Sequence, residues 1–151
     1  MDCQNVIKEL RRKLKQPSVC PVGCADCCAK PVLMLYPEWS AIQHPGKYQA
    51  GLGNCQFLAG SLCTIYYQRP LPCRWHGLAQ SGENFCTDIR VEPLPTARVE
   101  EIRHRWTLAL YRQMGEVLFG RRLGGERLAW WRYCLQIPEG ARIKERLREA
   151  A

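Results

Sequence analysis

The sequence predicts a small α+β fold, an irregular cysteine-rich core with a short hairpin followed by a C-terminal helical segment. Three observations lead to it. Eight of the ten cysteines lie between Cys20 and Cys86, so that span is organised around thiols. Its apolar residues come in short runs broken by proline and glycine, which suits strands and turns better than long helices. Beyond Pro95 the apolar residues instead recur every three and four positions, the period of a helix packed on one face. The 151 residues are a length for one domain. It is expected to span 1–151, with the cysteine-cluster core at 18–92 and the helices at 96–150.

Residues 4–15 read as a short amphipathic helix, with Val6, Ile7, Leu10 and Leu14 on one face and basic residues opposite. Pro17 ends it. Pro21 and Gly23 prevent a regular helix through 20–28 and favour a tight loop that turns several thiols towards one point. Residues 31–35 form an apolar strand candidate. Residues 37–42 start a helix, with Pro37 suited to its first turn. His44, Pro45 and Gly46 break it.

Residues 55–66 read as a hairpin whose turn is Ala59, Gly60 and Ser61. Residues 69–73 are expected to be extended or turning, because proline disfavours the helical region for the residue before it. Residues 77–84 are loop-like, and 88–91 suggest one more strand. Thr96 is the expected N-cap of a long helix that runs to about Phe119 on Val99, Ile102, Trp106, Leu110, Met114, Val117 and Leu118. A second helix near 126–135 carries Leu128, Trp131 and Leu135. A third follows Pro138 with Ile143 and Leu147.

No apolar run reaches the roughly 20 residues of a membrane helix, and the charged N-terminus lacks the apolar stretch of a secretory signal. A soluble, cytoplasmic protein is expected, with no membrane partner. In that reducing compartment, clustered cysteines bind metal or do redox chemistry more often than they form disulfides. The formal charge of +8 is spread over both ends without a recognisable nucleic-acid motif, so nucleic acid is not an expected partner. Thiolate ligands offer another reason for excess positive charge. A dication held by four of them carries about −2, and two such sites would roughly halve the formal charge.

The cysteine spacing is C-x3-C-x2-C-C, then, after 26 residues, C-x7-C-x9-C-x12-C. Soft thiolates select zinc, copper(I) or iron–sulfur clusters over hard cations. Eight thiols suffice for two four-ligand sites, or for one site with bystanders. Adjacent Cys27 and Cys28 point to opposite sides if extended. They then serve two metals, or one ligates while the other packs. The spacing matches neither the bacterial ferredoxin run nor a paired C-x2-C ribbon, so it leaves the metal open. The other candidates read more plainly. His76, three residues after Cys73, is expected near the site without ligating. Cys3 is expected to be a free terminal thiol, and Cys134 a small buried hydrophobe.

Cys20-x3-Cys24-x2-Cys27-Cys28, then Cys55-x-Phe57-Leu58, then Gly60-x2-Cys63-x-Ile65-Tyr66-x2-Arg69-Pro70-x2-Cys73-Arg74 resembles the bacterial YkgJ-type cysteine-cluster family. That family is described as zinc- or iron-chelating, and its domain type also occurs in flagellin lysine N-methylases. The resemblance covers about residues 18–90. It implies metal at Cys20, Cys24, Cys27, Cys28, Cys55, Cys63 and Cys73, with Cys86 as a trailing candidate. Arg69 and Arg74 also match. Guanidinium groups near an anionic cluster would offset thiolate charge and donate to sulfur. The alternative is that Arg69 flanks a turn and faces water.

Three functions are thereby in competition. The first is a cytoplasmic iron–sulfur or iron protein with a redox or group-transfer role, an oxidoreductase or modification enzyme working with a protein or redox partner. The second is a structural-zinc module whose surface binds a partner. The third is a protein-lysine methyltransferase-like enzyme. It rests on family analogy alone, and no methyl-donor motif accompanies it.

Overall fold

In a computed structural model, residues 2–14, 32–42, 55, 57–59, 62–65, 68–82, 92–120 and 124–151 are described. Six helices account for most of them: α1 (Cys3–Leu14), α2 (Tyr36–Ala41), α3 (Leu71–Trp75), α4 (Thr96–Phe119), α5 (Gly125–Leu135) and α6 (Pro138–Ala150). The α+β expectation is therefore corrected to a helical fold. Two-residue β1 (Leu58–Ala59) and β2 (Leu62–Cys63) pair antiparallel, Leu58 opposite Cys63 and Ala59 opposite Leu62. Two rungs are too few to present a hydrophobic sheet face, and the packing layers are all helical.

Helix α1 buries Val6, Ile7, Leu10 and Leu14, the four residues its periodicity assigned to the core. They pack in one cluster with Val99, Ile102, Trp106, Leu110 and Met114 of α4. Charge reinforces the α1–α4 contact. Arg105 donates to both oxygens of Glu9, at 2.7 and 2.9 Å. That fork holds the Glu9 carboxyl at about 2, against an ordinary 4.5. A depressed acid stabilises the fold above its unfolded value and loses that contribution as pH falls through its folded one. The melting-temperature advantage of wild type over Glu9→Gln is thus expected to shrink below pH 4.5 and vanish near pH 2. Thermal melts of both proteins across that range check it.

Residues 32–35, the described part of the strand expected at 31–35, form no strand. Side chains from α2, α4 and α5 meet several of the backbone groups here. The Tyr133 hydroxyl donates to the Val32 carbonyl, and Trp130 Nε1 donates to the Met34 carbonyl at 2.9 Å. Glu38 accepts the Leu35 N–H at 2.9 Å, and Gln113 accepts that of Tyr36 at 2.8 Å. Buried backbone groups must be paired, and here indole, phenol, carboxylate and amide groups replace a neighbouring strand.

The same bonds set the rotation of α5. Leu128 is exposed, while Trp131 and Leu135 are only part-buried. The buried face is Trp130, Tyr133 and Cys134. An apolar count favoured the first set, but the polar tips of Trp130 and Tyr133 decide in favour of the second.

Two further expectations change. Residues 71–75 form helix α3 rather than a turn. Pro70 is its N-cap and Pro72 lies in its first turn, where the missing N–H costs nothing. Thr96 is the first residue of α4, not its cap. Pro95 takes the cap position, and the Thr96 and Ser81 hydroxyls lie 3.2 Å apart. Ahead of this helix, Leu94 donates to Leu78 O at 2.7 Å and accepts from Gln80 N at 3.2 Å, tying residues 78–80 to the start of α4. The loop at 20–28, the strand at 88–91 and His44 lie outside the described residues.

Candidate metal centre

Of the eight cysteines singled out by sequence, Cys55, Cys63 and Cys73 are described. Cys20, Cys24, Cys27, Cys28 and Cys86 lie outside the described residues.

Cys55 and Cys63 flank the small hairpin. Thr64 closes it, its N–H and hydroxyl both donating to the Phe57 carbonyl at 2.8 and 2.7 Å. The Phe57 N–H donates to the Cys55 sulfur. Burial pushes the Cys55 thiol up, the Phe57 bond opposes this, and the nearby Cys63 adds to the rise. Cys55, ahead of β1, and Cys63, at the end of β2, are soft donors on the two arms of this hairpin. A bound cation reverses the repulsion between them, because it favours the thiolate form. The chemistry of this donor set therefore fits zinc or iron.

Cys73 stands on α3, next to Arg74. Arg69 and Arg74 are 5% and 9% exposed, so neither faces water. Arg74 Nε donates to the Arg69 carbonyl at 2.8 Å, clasping the Arg-Pro turn to the helix that carries Cys73. Burial lowers the Arg74 pKa, and the neighbouring charges of Arg11 and Arg69 push the same way. Glu38 and Cys73 oppose them. This buried positive charge beside Cys73 is suited to offset thiolate charge.

Among the described residues, no three His, Cys, Asp or Glu side chains converge as a metal-ligating group. His76 is part-buried at the C-cap of α3, and His104 is exposed on α4. Cys134 is fully buried and its thiol is pushed far up by burial, the inert core residue its surroundings suggested. Cys3 is part-buried, and desolvation also raises its thiol.

Glu38 is the residue that sequence reasoning overlooked. It is 3% exposed. It accepts from Leu71 N at 2.6 Å, Leu35 N at 2.9 Å and Trp106 Nε1 at 3.1 Å. Burial raises its pKa against the lowering effect of these donors and of Arg11. One local signal pointed to it. A glutamate at the third helical position commonly reaches back to the N-cap N–H, and Glu38 does this to Leu35. Its bond to Leu71, 33 residues away, has no local signal.

Paired thiols on a hairpin, and a third on a helix backed by buried arginines, define the class: a cysteine-cluster metal-binding protein on a helical frame. The family model CxxCxxCC, described as a putative zinc- or iron-chelating domain, matches residues 19–88. That segment carries the YkgJ-type domain that the motif resembles, and it contains all eight candidate cysteines. The match ends before α4 and α5, whose side chains hydrogen-bond residues 32, 34 and 36, and before α6. Comparison with curated proteins and with solved structures gives no match.

Proposed function

We propose that this protein chelates iron, held as an iron–sulfur cluster or as iron alone, through thiolates drawn from Cys20, Cys24, Cys27, Cys28, Cys55, Cys63, Cys73 and Cys86. The proposed role is redox or group transfer with a protein partner. The observation that carries the reading is the set of eight cysteines inside the segment matched as zinc- or iron-chelating. Iron–sulfur centres commonly take four cysteines, and hydrogen bonds to sulfur tune their potential. Such a centre supplies one-electron chemistry when bound. The residues of the chain have three tasks. Cys55 and Cys63 donate thiolates, the Phe57 amide fixes one sulfur, and Arg74 and Arg69 place positive charge beside Cys73.

Protein purified anaerobically is expected to be brown and to contain iron with acid-labile sulfide. Colourless protein that takes up no iron on anaerobic reconstitution overturns the iron reading. Zinc retained in that colourless protein identifies a structural-zinc module instead.

Cys63→Ser is expected to lower metal per chain and the melting temperature together, because metal affinity in such sites is partly folding free energy. Cys3→Ser is expected to leave both unchanged. Elemental analysis and thermal melts of the two variants check this.

A further inference from the structure

We propose that Glu38 is a positioning residue for Cys73, holding the start of α3 so that the Cys73 sulfur meets the metal. The inference rests on the reading of Cys73 as a ligand.

The five residues of α3 are too few for a helix to be stable on its own, since nucleation is costly and propagation short. Pro72 lies in its first turn and Pro70 just ahead, so neither position supplies an N–H. The backbone bonds at its ends are Cys73 N to Pro70 O at 3.0 Å, His76 N to Pro72 O at 3.3 Å and Leu78 N to Trp75 O at 3.0 Å. The direction of α3 is therefore set by its anchors. Leu71 is fully buried, and Trp75 meets Trp106 edge-to-face with centroids 5.4 Å apart. These are apolar contacts and tolerate sliding. The Glu38 Oε1 bond to Leu71 N, at 2.6 Å, is directional. It falls on the first residue of the helix, two before Cys73.

The other oxygen, Oε2, is fixed by Leu35 N and by Trp106 Nε1. The carboxylate is thereby held from α4 and from its own helix start while it holds α3. An apolar side chain of similar volume is often as stabilising as a buried charged group. A buried carboxylate in this core thus has a task that packing alone does not supply, and the one it visibly performs is to fix α3 in direction and register.

The test uses the full chain loaded with cobalt(II), whose sulfur-to-cobalt charge-transfer band reports the number of bound thiolates, and in parallel with anaerobically reconstituted iron. Glu38→Gln keeps the volume but turns an amide N–H towards one of the donors. It is expected to weaken cobalt binding about tenfold or more and to reduce the charge-transfer band as Cys73→Ser does. The double variant Glu38→Gln/Cys73→Ser is expected to bind no more weakly than Cys73→Ser alone, because contacting residues acting through one ligand are non-additive.

Val99→Ala, in the fully buried core of α4, is the stability control. It is expected to lower the melting temperature and leave the cobalt spectrum unchanged. If Glu38→Gln does not fold, Glu38→Asp takes its place, since it keeps the charge and shortens the reach to Leu71.

The proposal is overturned if the Glu38 variant keeps the wild-type spectrum and affinity, or if its effect adds in full to that of Cys73→Ser. Wild-type protein that binds neither cobalt nor iron removes the metal reading itself. Wild-type metal binding in Cys73→Ser removes Cys73 as the ligand. Both results are distinct from a failure at Glu38.

Discussion

Trp130→Ala is expected to destabilise the protein by about 4 kcal/mol, within the range for removing a large aromatic from a core. Trp130 is 1% exposed and heads the fully buried side chains by volume. Its loss leaves a cavity, and it also leaves the Met34 carbonyl without the indole N–H that donates to it at 2.9 Å. A buried acceptor so orphaned adds about 1–3 kcal/mol of its own, partly overlapping the cavity cost.

Trp130→Phe narrows the two contributions, because it removes the donor while keeping an aromatic ring and losing only part of the indole volume. Its expected cost is about 1–2 kcal/mol. Denaturant titration checks both variants, with the midpoint moving and the slope unchanged. A Trp130→Ala midpoint within error of wild type contradicts the packing described for α5. The effect matters beyond stability. Residues 32–36 begin four positions after Cys28 in sequence, and α5 is one of the elements that hold them.

Gly140→Ala is expected to destabilise by about 3 kcal/mol, the upper part of the overpacking range. Propensity alone predicts the reverse, since alanine is favoured over glycine inside a helix by about 1 kcal/mol. The close approach of α6 to the end of α5 decides the sign. A Cβ at Gly140 would lie 1.9 Å from the Cys134 carbonyl oxygen and 2.7 Å from its carbon. Both are backbone atoms, so no side chain can swing aside, and the two helices must separate. The Leu33 Cδ2 atom, 3.2 Å from the same point, carries the disturbance into residues 32–35.

Gly124→Ala meets nothing within 4 Å and is the matched control, expected to change stability little. Thermal melts of both variants distinguish the outcomes. A Gly140→Ala protein as stable as wild type contradicts the α5–α6 contact.

Much of the helical frame was legible because periodicity is local. The four buried residues of α1 and the core stripe of α4 follow directly from apolar spacing. The thiol pattern is local too, because cysteines separated by three, two, seven and nine residues, with Arg69-Pro70 ahead of Cys73, can be seen without tertiary knowledge. The failures share one cause. Residues 32–35 are apolar, as a strand would be, but the hydrogen bonds to the Val32 and Met34 carbonyls come from Tyr133 and Trp130, about a hundred positions later. Residues 69–73 looked unhelical because of Pro70 and Pro72, yet both fall where a helix has no use for an N–H. The face of α5 was misjudged because apolar counting gives no weight to the reach of an indole or phenol donor.

The sequence by itself determined a cysteine-cluster chain of the zinc- or iron-chelating kind, with an amphipathic helix before the cluster and three helices after it. These are matters of residue identity and local spacing. Only the tertiary structure decided that the fold is helical rather than α+β, that Arg69 and Arg74 are buried, and that Glu38 joins α2, α3 and α4. Each of those depends on partners far apart in the chain. A buried charge or carbonyl is tolerable only where such a partner meets it, and no local pattern records where that meeting occurs.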